Sequence, residues 1–423
     1  MNAKFEKTEL APGVNLYLYP TDKYKTVSIR AFLYTDLEDE TSKTAILPEI
    51  LKKGTKDYPT PRELSKELAK LYGTRMGAGV TKRGETLLAD FRMEMVSPKY
   101  LEDDSYVQKA LKIFKDVIFD PALDDNKFNK TYVEIEKQNL KNRIAAVVND
   151  KQKFAFMKAI ENSCPDEAYR ISKYGSVEEL DKVNEANLYQ HYEKIVNNNP
   201  MDFYVVGNFD KDKLKPLLTE TFKINRQQVT SIKKPINSKA QPLNEIVHDM
   251  EVKQGRLVMV MKTPVTMNNN SYPALLMYNG ILGGFTHSKL FQNVREKASL
   301  AYYAGSNIET LKGMVFLFAG IDKETYKETL DIMNQQLEDI KAGKISEKEM
   351  EYTLAGLKNS LSETIDEVGG QIGLQVDGGL VGRRWEIEEL LSELKNVKKE
   401  DVVEVANSLE VDTIFFLRPK EEQ

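Results

Sequence analysis

Two kinds of apolar spacing alternate along this chain. In Val14-Asn15-Leu16-Tyr17-Leu18-Tyr19 and Thr26-Val27-Ser28-Ile29-Arg30-Ala31-Phe32-Leu33 apolar residues alternate with polar ones, which predicts strands. Residues 89–95 alternate strictly, which predicts a strand with one face on a core and one in water. Thr60-Pro61-Arg62-Glu63 predicts a helix start: Thr60 can cap free N–H groups, Pro61 suits the first turn and Glu63 completes a capping box. Leu64, Leu68 and Leu71 continue its apolar face until Gly73. Longer helical patterns run from about 101 to 118 and from about 125 to 162, and 202–208 closes the half as a strand.

The second half repeats this order. Val397-Lys398-Lys399-Glu400-Asp401, a helix and the strand 412–417 echo Val183-Asn184-Glu185, a helix and the strand at 203–206. Between the halves, Ile232-Lys233-Lys234-Pro235-Ile236-Asn237-Ser238-Lys239-Ala240-Gln241-Pro242 is polar, holds two prolines and lacks periodicity, so it reads as a linker. The expected division is 1–230, a linker over 231–244, and 245–423. Strands grouped before long helices predict an α+β class, each domain a mostly antiparallel sheet packed with helices.

Composition narrows the function. With 423 residues, 41% hydrophobic and 30% charged, the chain suits two domains with ample cores. A net charge of -5, from 60 basic and 65 acidic residues, offers no broad attraction to nucleic acid or anionic membrane. No secretory leader or membrane-length apolar run is visible, so a cytoplasmic location is expected. Cys164 is the only cysteine, which excludes intrachain disulfides and thiolate metal clusters; a packing role suits it better than a nucleophilic one. His191, His248 and His287 form no pair at helical spacing, which weighs against a self-contained zinc site. Neither a G-x-S-x-G elbow nor a histidine dyad marks a different hydrolase.

Tyr272-Pro273-Ala274-Leu275 leads to Ile281-Leu282-Gly283-Gly284, then to Ser288-Lys289-Leu290-Phe291 and from Arg295-Glu296-Lys297 to Tyr302. This order resembles the signature of the insulinase-like (pitrilysin, M16) metallopeptidases and the processing-peptidase subunits, and the resemblance covers nearly the whole chain. It implies the LuxS/processing-peptidase metallohydrolase-like fold in two homologous domains. In the first half Leu51-Lys52-Lys53-Gly54-Thr55 resembles the segment that follows the family's H-x-x-E-H. Counting back places that zinc motif on Ala45-Ile46-Leu47-Pro48-Glu49, where neither histidine stands. Ala45 has no lone pair, Pro48 no carboxylate, and Glu49 alone cannot hold zinc; Pro48 would also disturb a helix interior. The family's distal carboxylate ligand should fall near 138–145, a stretch without an acidic residue, with Glu134 and Glu136 just upstream.

The resemblance implies that Arg295 and Tyr302 hold substrate backbone near the scissile bond, where a guanidinium and a phenol can donate to the developing oxyanion. Tyr303 is adjacent, so a one-residue shift would exchange the tyrosines. Gly283 and Gly284 match a glycine-rich substrate loop of the noncatalytic processing-peptidase subunit, although a plain tight turn is the simpler reading. Leu71-Tyr72-Gly73-Thr74-Arg75 and Lys82-Arg83-Gly84 resemble a bacterial subgroup that lacks the zinc motif and is accompanied by a sibling bearing it. The implied function is that of a noncatalytic subunit of a heterodimeric zinc peptidase. It would carry no cofactor, supply Arg295 and Tyr302 in trans to a sibling with H-x-x-E-H and bound zinc, and act on small extended peptides. In isolation such a chain can also pair with itself. The alternative is a structural or binding subunit of the same fold with no peptidase role.

Overall fold

The computed structural model describes residues 4–38 and 40–420. Two compact units divide the chain, residues 1–146 with 171–233, and residues 147–170 with 234–423.

In the first unit strands β1 (Glu6–Ala11), β2 (Val14–Pro20), β3 (Thr26–Asp36), β4 (Arg75–Arg83), β5 (Thr86–Val96) and β6 (Met201–Gly207) form one sheet in the order β1-β2-β6-β3-β5-β4. All neighbours are antiparallel except β2 and β6. Helices α1 (Thr41–Leu51), α2 (Pro61–Lys70), α3 (Ser105–Phe119) and α4 (Lys130–Ala146) belong to this unit. The core joins Val27, Ile29, Ala31 and Leu33 of β3 and Phe91, Met93 and Met95 of β5 to Ile46, Leu47, Phe114 and Val117 of the helices. The capping box of α2 forms as the sequence predicts, with Thr60 accepting from the Glu63 amide.

The opposite face of β5 departs from the expected alternation. Arg92 and Glu94 are exposed, but Asp90 is buried and its two carboxylate oxygens accept from Nε and Nη2 of Arg30. A bidentate, charge-assisted pair is what allows a carboxylate at a position the pattern assigns to water.

The helix expected over 125–162 is two helices. Its first part, α4, ends at Ala146, and Asp150 caps a new helix, α5 (Lys151–Ser163), by accepting from the Lys153 amide. This second helix belongs to the other unit, so the division expected at residue 230 differs from the observed one over 147–170. The reason is burial: Phe154, Ala155 and Ala159 of α5, with Cys164 and Tyr169 after it, pack on Val258, Val260, Phe316, Phe415 and Leu417. Burial pushes the Cys164 thiol up to about 11, so the cysteine sits as a small apolar side chain.

The first unit closes with α6 (Val177–Asp181), α7 (Glu185–Asn198) and α8 (Lys211–Thr221). The second continues with strands β7 (Asn244–Met250), β8 (Gly255–Lys262), β9 (Ala301–Glu309), β10 (Met314–Ile321) and β11 (Glu410–Pro419), ordered β7-β11-β8-β10-β9, and with α9 (Tyr272–Asn279), α10 (Tyr326–Lys341), α11 (Glu347–Asp366), α12 (Val368–Val381), α13 (Ile387–Asn396) and α14 (Lys399–Asn407). Only β7 and β11 run parallel. Without β1, the first sheet reads β2-β6-β3-β5-β4, the same order of first, fifth, second, fourth and third strand, with the parallel pair in the same place. The two domains are therefore repeats of one mostly antiparallel α+β design, as the sequence echo predicts.

His191 on α7 is a core histidine. Its Nε2 lies 2.8 Å from the Thr44 hydroxyl of α1, and its Nδ1 lies 3.4 Å from Glu40 Oε2, a carboxylate also held by Lys43 and Lys194. Burial, outweighing the attraction of Glu40, depresses the imidazole to about 4. The unfolded chain therefore takes up this proton near pH 6.5 and the folded chain only near 4, so stability present above pH 6.5 falls as pH drops through that window. Urea unfolding at pH 7 and pH 4.5 should show a loss on the order of 2–3 kcal/mol that His191→Gln removes. An unchanged pH slope in that variant would refute the assignment.

Candidate functional site

Ala45, Pro48 and Glu49, onto which the resemblance places the zinc motif, lie on α1, which runs through Pro48 without ending. Proline in a helix interior costs about 3 kcal/mol, and the helix persists because nine of its eleven residues are buried. Ala45 is buried, and Glu49 is engaged by Lys52 at 2.7 Å and by Arg143 of α4 at 3.4 Å. Arg143 thus comes from the stretch where the missing carboxylate was expected, with the opposite charge. Glu136 is buried and spent on Lys53 at 2.6 Å and on the Asn139 amide; burial raises its pKa, but these partners outweigh that and leave it lowered. Glu134 is paired with Lys137 at 3.1 Å. Among the described residues, no three His, Cys, Asp or Glu side chains converge as metal ligands.

This donor set does not fit zinc. A guanidinium beside Glu49 repels a dication, and the imidazole packed on α1, that of His191, is already set against Thr44 and Glu40. Installing the motif residues through Ala45→His, Pro48→Glu and Glu49→His should therefore give only weak zinc binding, and adding Arg143→Glu should tighten it by about 100-fold or more. Competition against a chromophoric chelator measures both. Equal affinity with Arg143 present would show that the cation does not oppose the metal.

The second cluster lies in the other unit. After α9 the backbone widens into a π turn over Gly280–Gly284, bends through Phe285, Thr286 and His287, and widens again over Phe291–Lys297. Such π segments place side chains at angles an α-helix does not offer. Arg295 stands near the end of the second one. Its side chain is 43% exposed, its guanidinium covers the Phe291 ring at 4.6 Å, and its Nε lies 3.7 Å from Glu296. Ser299, in left-handed backbone at φ 55°, then turns the chain into the edge strand β9.

Tyr302 is 70% exposed on that strand, the most open of the large hydrophobic side chains among the described residues. Tyr303 points the other way, its ring packed on Gly320 and 5.6 Å from the Arg256 guanidinium; burial raises its phenol above the usual value. A β-bulge, in which Gly320 pairs with Tyr303 but Ile321 pairs with Ala301, leaves Tyr302 as the extra residue and separates two tyrosines that the sequence leaves interchangeable. Gly283 serves a close approach, since a Cβ there would lie 2.6 Å from Ser306 Oγ and 2.7 Å from the Gly305 carbonyl carbon. At Gly284 a Cβ would lie 3.1 Å from the Asn279 side-chain amide. His287 stacks on Phe285 and its Nε2 lies 3.0 Å from the buried Thr353 hydroxyl, so it belongs to the packing of the turn. His248, on the edge strand β7, lies against Phe154 and Phe415. The sequence does not reveal Arg143, Asn279 and Ser306 as partners; a reversed charge in the stretch 138–145 was the one available signal.

Two repeated α+β domains, with no three converging metal-ligand side chains among the described residues, define a scaffold of the M16 peptidase kind. The chain belongs to the M16 peptidase family. Residues 182–357 match the family model described as the peptidase M16 inactive domain. The chain is 35% identical to the probable inactive metalloprotease YmfF of Bacillus subtilis over 97% of its own length and 96% of that protein. A crystal structure of a conserved protein from Enterococcus faecalis superposes with a TM-score of 0.91 at 32% identity, covering 99% of each chain. A peptidase M16 inactive domain structure from Pseudomonas fluorescens shares the fold, with a TM-score of 0.78 at 16% identity over the full length of both. Among the described residues no helix is long and apolar enough to cross a membrane.

Proposed function

We propose that this chain is the noncatalytic subunit of a heterodimeric M16 zinc peptidase, located in the cytoplasm. The observation that carries the reading is a contrast between its two clusters. Where the resemblance places the zinc motif, Glu49 is paired with Arg143, whereas Arg295 and Tyr302 are accessible. Zinc and the general-base glutamate belong to a sibling chain bearing H-x-x-E-H. Arg295 and Tyr302 donate to the carbonyl of an extended peptide as a hydroxide attacks it. Main-chain pairing of the peptide with a sheet edge supplies affinity with little sequence demand.

The test mixes this chain with a sibling of similar length that carries the zinc motif, encoded in the same genome, and follows a fluorogenic peptide. Cleavage by the mixture that a chelator abolishes, with none by this chain alone, is the expected result. Co-purification without cleavage would instead support a purely structural subunit. The contact of Arg295 with Phe291 and Glu296 is the observation that favours that second reading, because it gives the guanidinium a packing role.

A further inference from the structure

The geometry points to the turn 283–287 as a rigid clasp that sets the relative position of Arg295 and Tyr302. The inference takes its functional meaning from the reading above; its geometry stands apart from it.

Three attachments fix the turn. Gly283 meets β9 backbone to backbone: a Cβ on Gly305 would lie 3.0 Å from the Gly283 carbonyl oxygen, as one on Gly283 would crowd Gly305 and Ser306. Beside this contact the buried Ser306 hydroxyl donates to the Asn279 side-chain oxygen at 2.7 Å, joining the end of α9 to the same strand. Phe285 then wedges between two further glycines, with ring atoms 3.0 Å from where a Cβ of Gly280 would stand and 2.8 Å from one on Gly356 of α11. His287 completes the set with a parallel ring contact to Phe285 at 5.3 Å and its bond to Thr353 of α11.

The contact between Gly283 and Gly305 closes the loop 283–305, and both Arg295 and Tyr302 lie inside that loop. Arg295 makes its contacts on its own helical turn, to Phe291 and Glu296, and Tyr302 is mostly solvent-exposed. Their positions are therefore inherited from the backbone, which is held inside the loop by buried Leu290 and Val294, by the Asn293 amide donating to Gln336 of α10 at 2.7 Å and by the Leu300 amide donating to the Val294 carbonyl, and is pinned again where the loop closes. Glycines at 280, 283, 305 and 356 are explained by close packing around one aromatic wedge and one strand. A mobile substrate loop needs none of these contacts. Gly283 and Phe285 are positioning residues.

The experiment labels Tyr302 as 3-fluorotyrosine in the full chain and records its ¹⁹F signal together with amide exchange across β9. Gly283→Ala should shift or split the Tyr302 signal and speed exchange over 301–306 by about 10-fold or more. Leu394→Ala, a buried core truncation on α13, lowers stability too; it should leave the Tyr302 signal unmoved and change exchange over 301–306 no more than over the other strands of the unit. If Gly283→Ala does not fold, Phe285→Leu, which thins the wedge without blocking the backbone contact, should give the same signature more weakly. An unchanged Tyr302 signal in the folded clasp variant, or an equal change in the Leu394 control, overturns the proposal. Peptide turnover with the zinc-bearing sibling is read separately: a displaced Tyr302 signal with no turnover by any mixture sinks the catalytic reading and leaves the clasp standing.

Discussion

Replacing Arg295 with alanine should lower kcat of the reconstituted complex by about 100- to 1000-fold while leaving assembly intact, the usual cost of removing one preorganised oxyanion donor. The expectation follows from what the guanidinium can do at its site. It is close to half exposed, it is held by an aromatic face and a neighbouring carboxylate, and its remaining N–H donors are open to a ligand. Lysine at 295 should recover only part of the rate, because a point charge cannot reproduce a planar fork of donors. Tyr302→Phe keeps the ring and removes a single hydroxyl, so a loss of about 10- to 100-fold is expected. Tyr303→Phe is the internal control; its ring packs inward on Gly320 and turnover should change by less than about twofold. Steady-state kinetics with size-exclusion measurement of the complex separate chemistry from assembly. Wild-type turnover by an assembled Arg295→Ala complex would remove the arginine from the mechanism.

The largest stability effect is expected at Asp412, with a loss on the order of 3–5 kcal/mol on replacement by alanine. Asp412 and Lys262 are 1% and 2% exposed and lie 3.2 Å apart on the neighbouring strands β11 and β8. The Lys262 ammonium also donates to the carbonyls of Ser163 at 2.7 Å and Lys239 at 3.1 Å. Asp412 accepts from the Ser163 and Thr413 hydroxyls and from the Gln241 amide. Close by, Glu167 holds the fully buried Lys312 at 2.6 Å and the Ser238 hydroxyl. This network therefore fastens both the end of α5 and the segment before β7 to the second sheet. Removing the carboxylate leaves a buried ammonium whose remaining carboxylate neighbour, Glu167, lies 3.9 Å away and is already engaged by Lys312, which is the costly half of breaking such a pair. The double variant Asp412→Leu with Lys262→Met should recover most of the loss, since no lone charge remains. Denaturant unfolding of the single and double variants measures both. A single-variant loss below about 1 kcal/mol would mean that water reaches the ammonium and that the network is not sealed.

Much of the fold is legible in the sequence because strands and helices leave different periods. The alternation at 26–33 and 89–95 and the box at Thr60 and Glu63 each rest on neighbours a few residues apart, and local spacing captures such features. The division of the chain is less legible. Nothing local says that a helical pattern running from about 125 to 162 breaks at 147–150, or that its second part covers another sheet; that depends on which apolar face lacks a cover. Asp90 escaped the pattern for the same reason, its partner Arg30 being sixty positions away and matched only when β3 pairs with β5.

At the candidate sites the sequence by itself determined which chemistry is missing and which remains. Side-chain identity suffices to say that Ala45, Pro48 and Glu49 cannot form a zinc motif, and that an arginine and a tyrosine can donate to an oxyanion. Only the tertiary structure decided how those residues stand. It brought Arg143 against Glu49, a cation where a carboxylate was expected, because α1 and α4 lie side by side in the first unit. A bulge in β9 left Tyr302 exposed while Tyr303 packs on Gly320, and packing made Gly283 a backbone contact instead of a flexible link. Residue types fix which bonds a side chain can make; which bonds it does make depends on groups that only the folded backbone brings within reach.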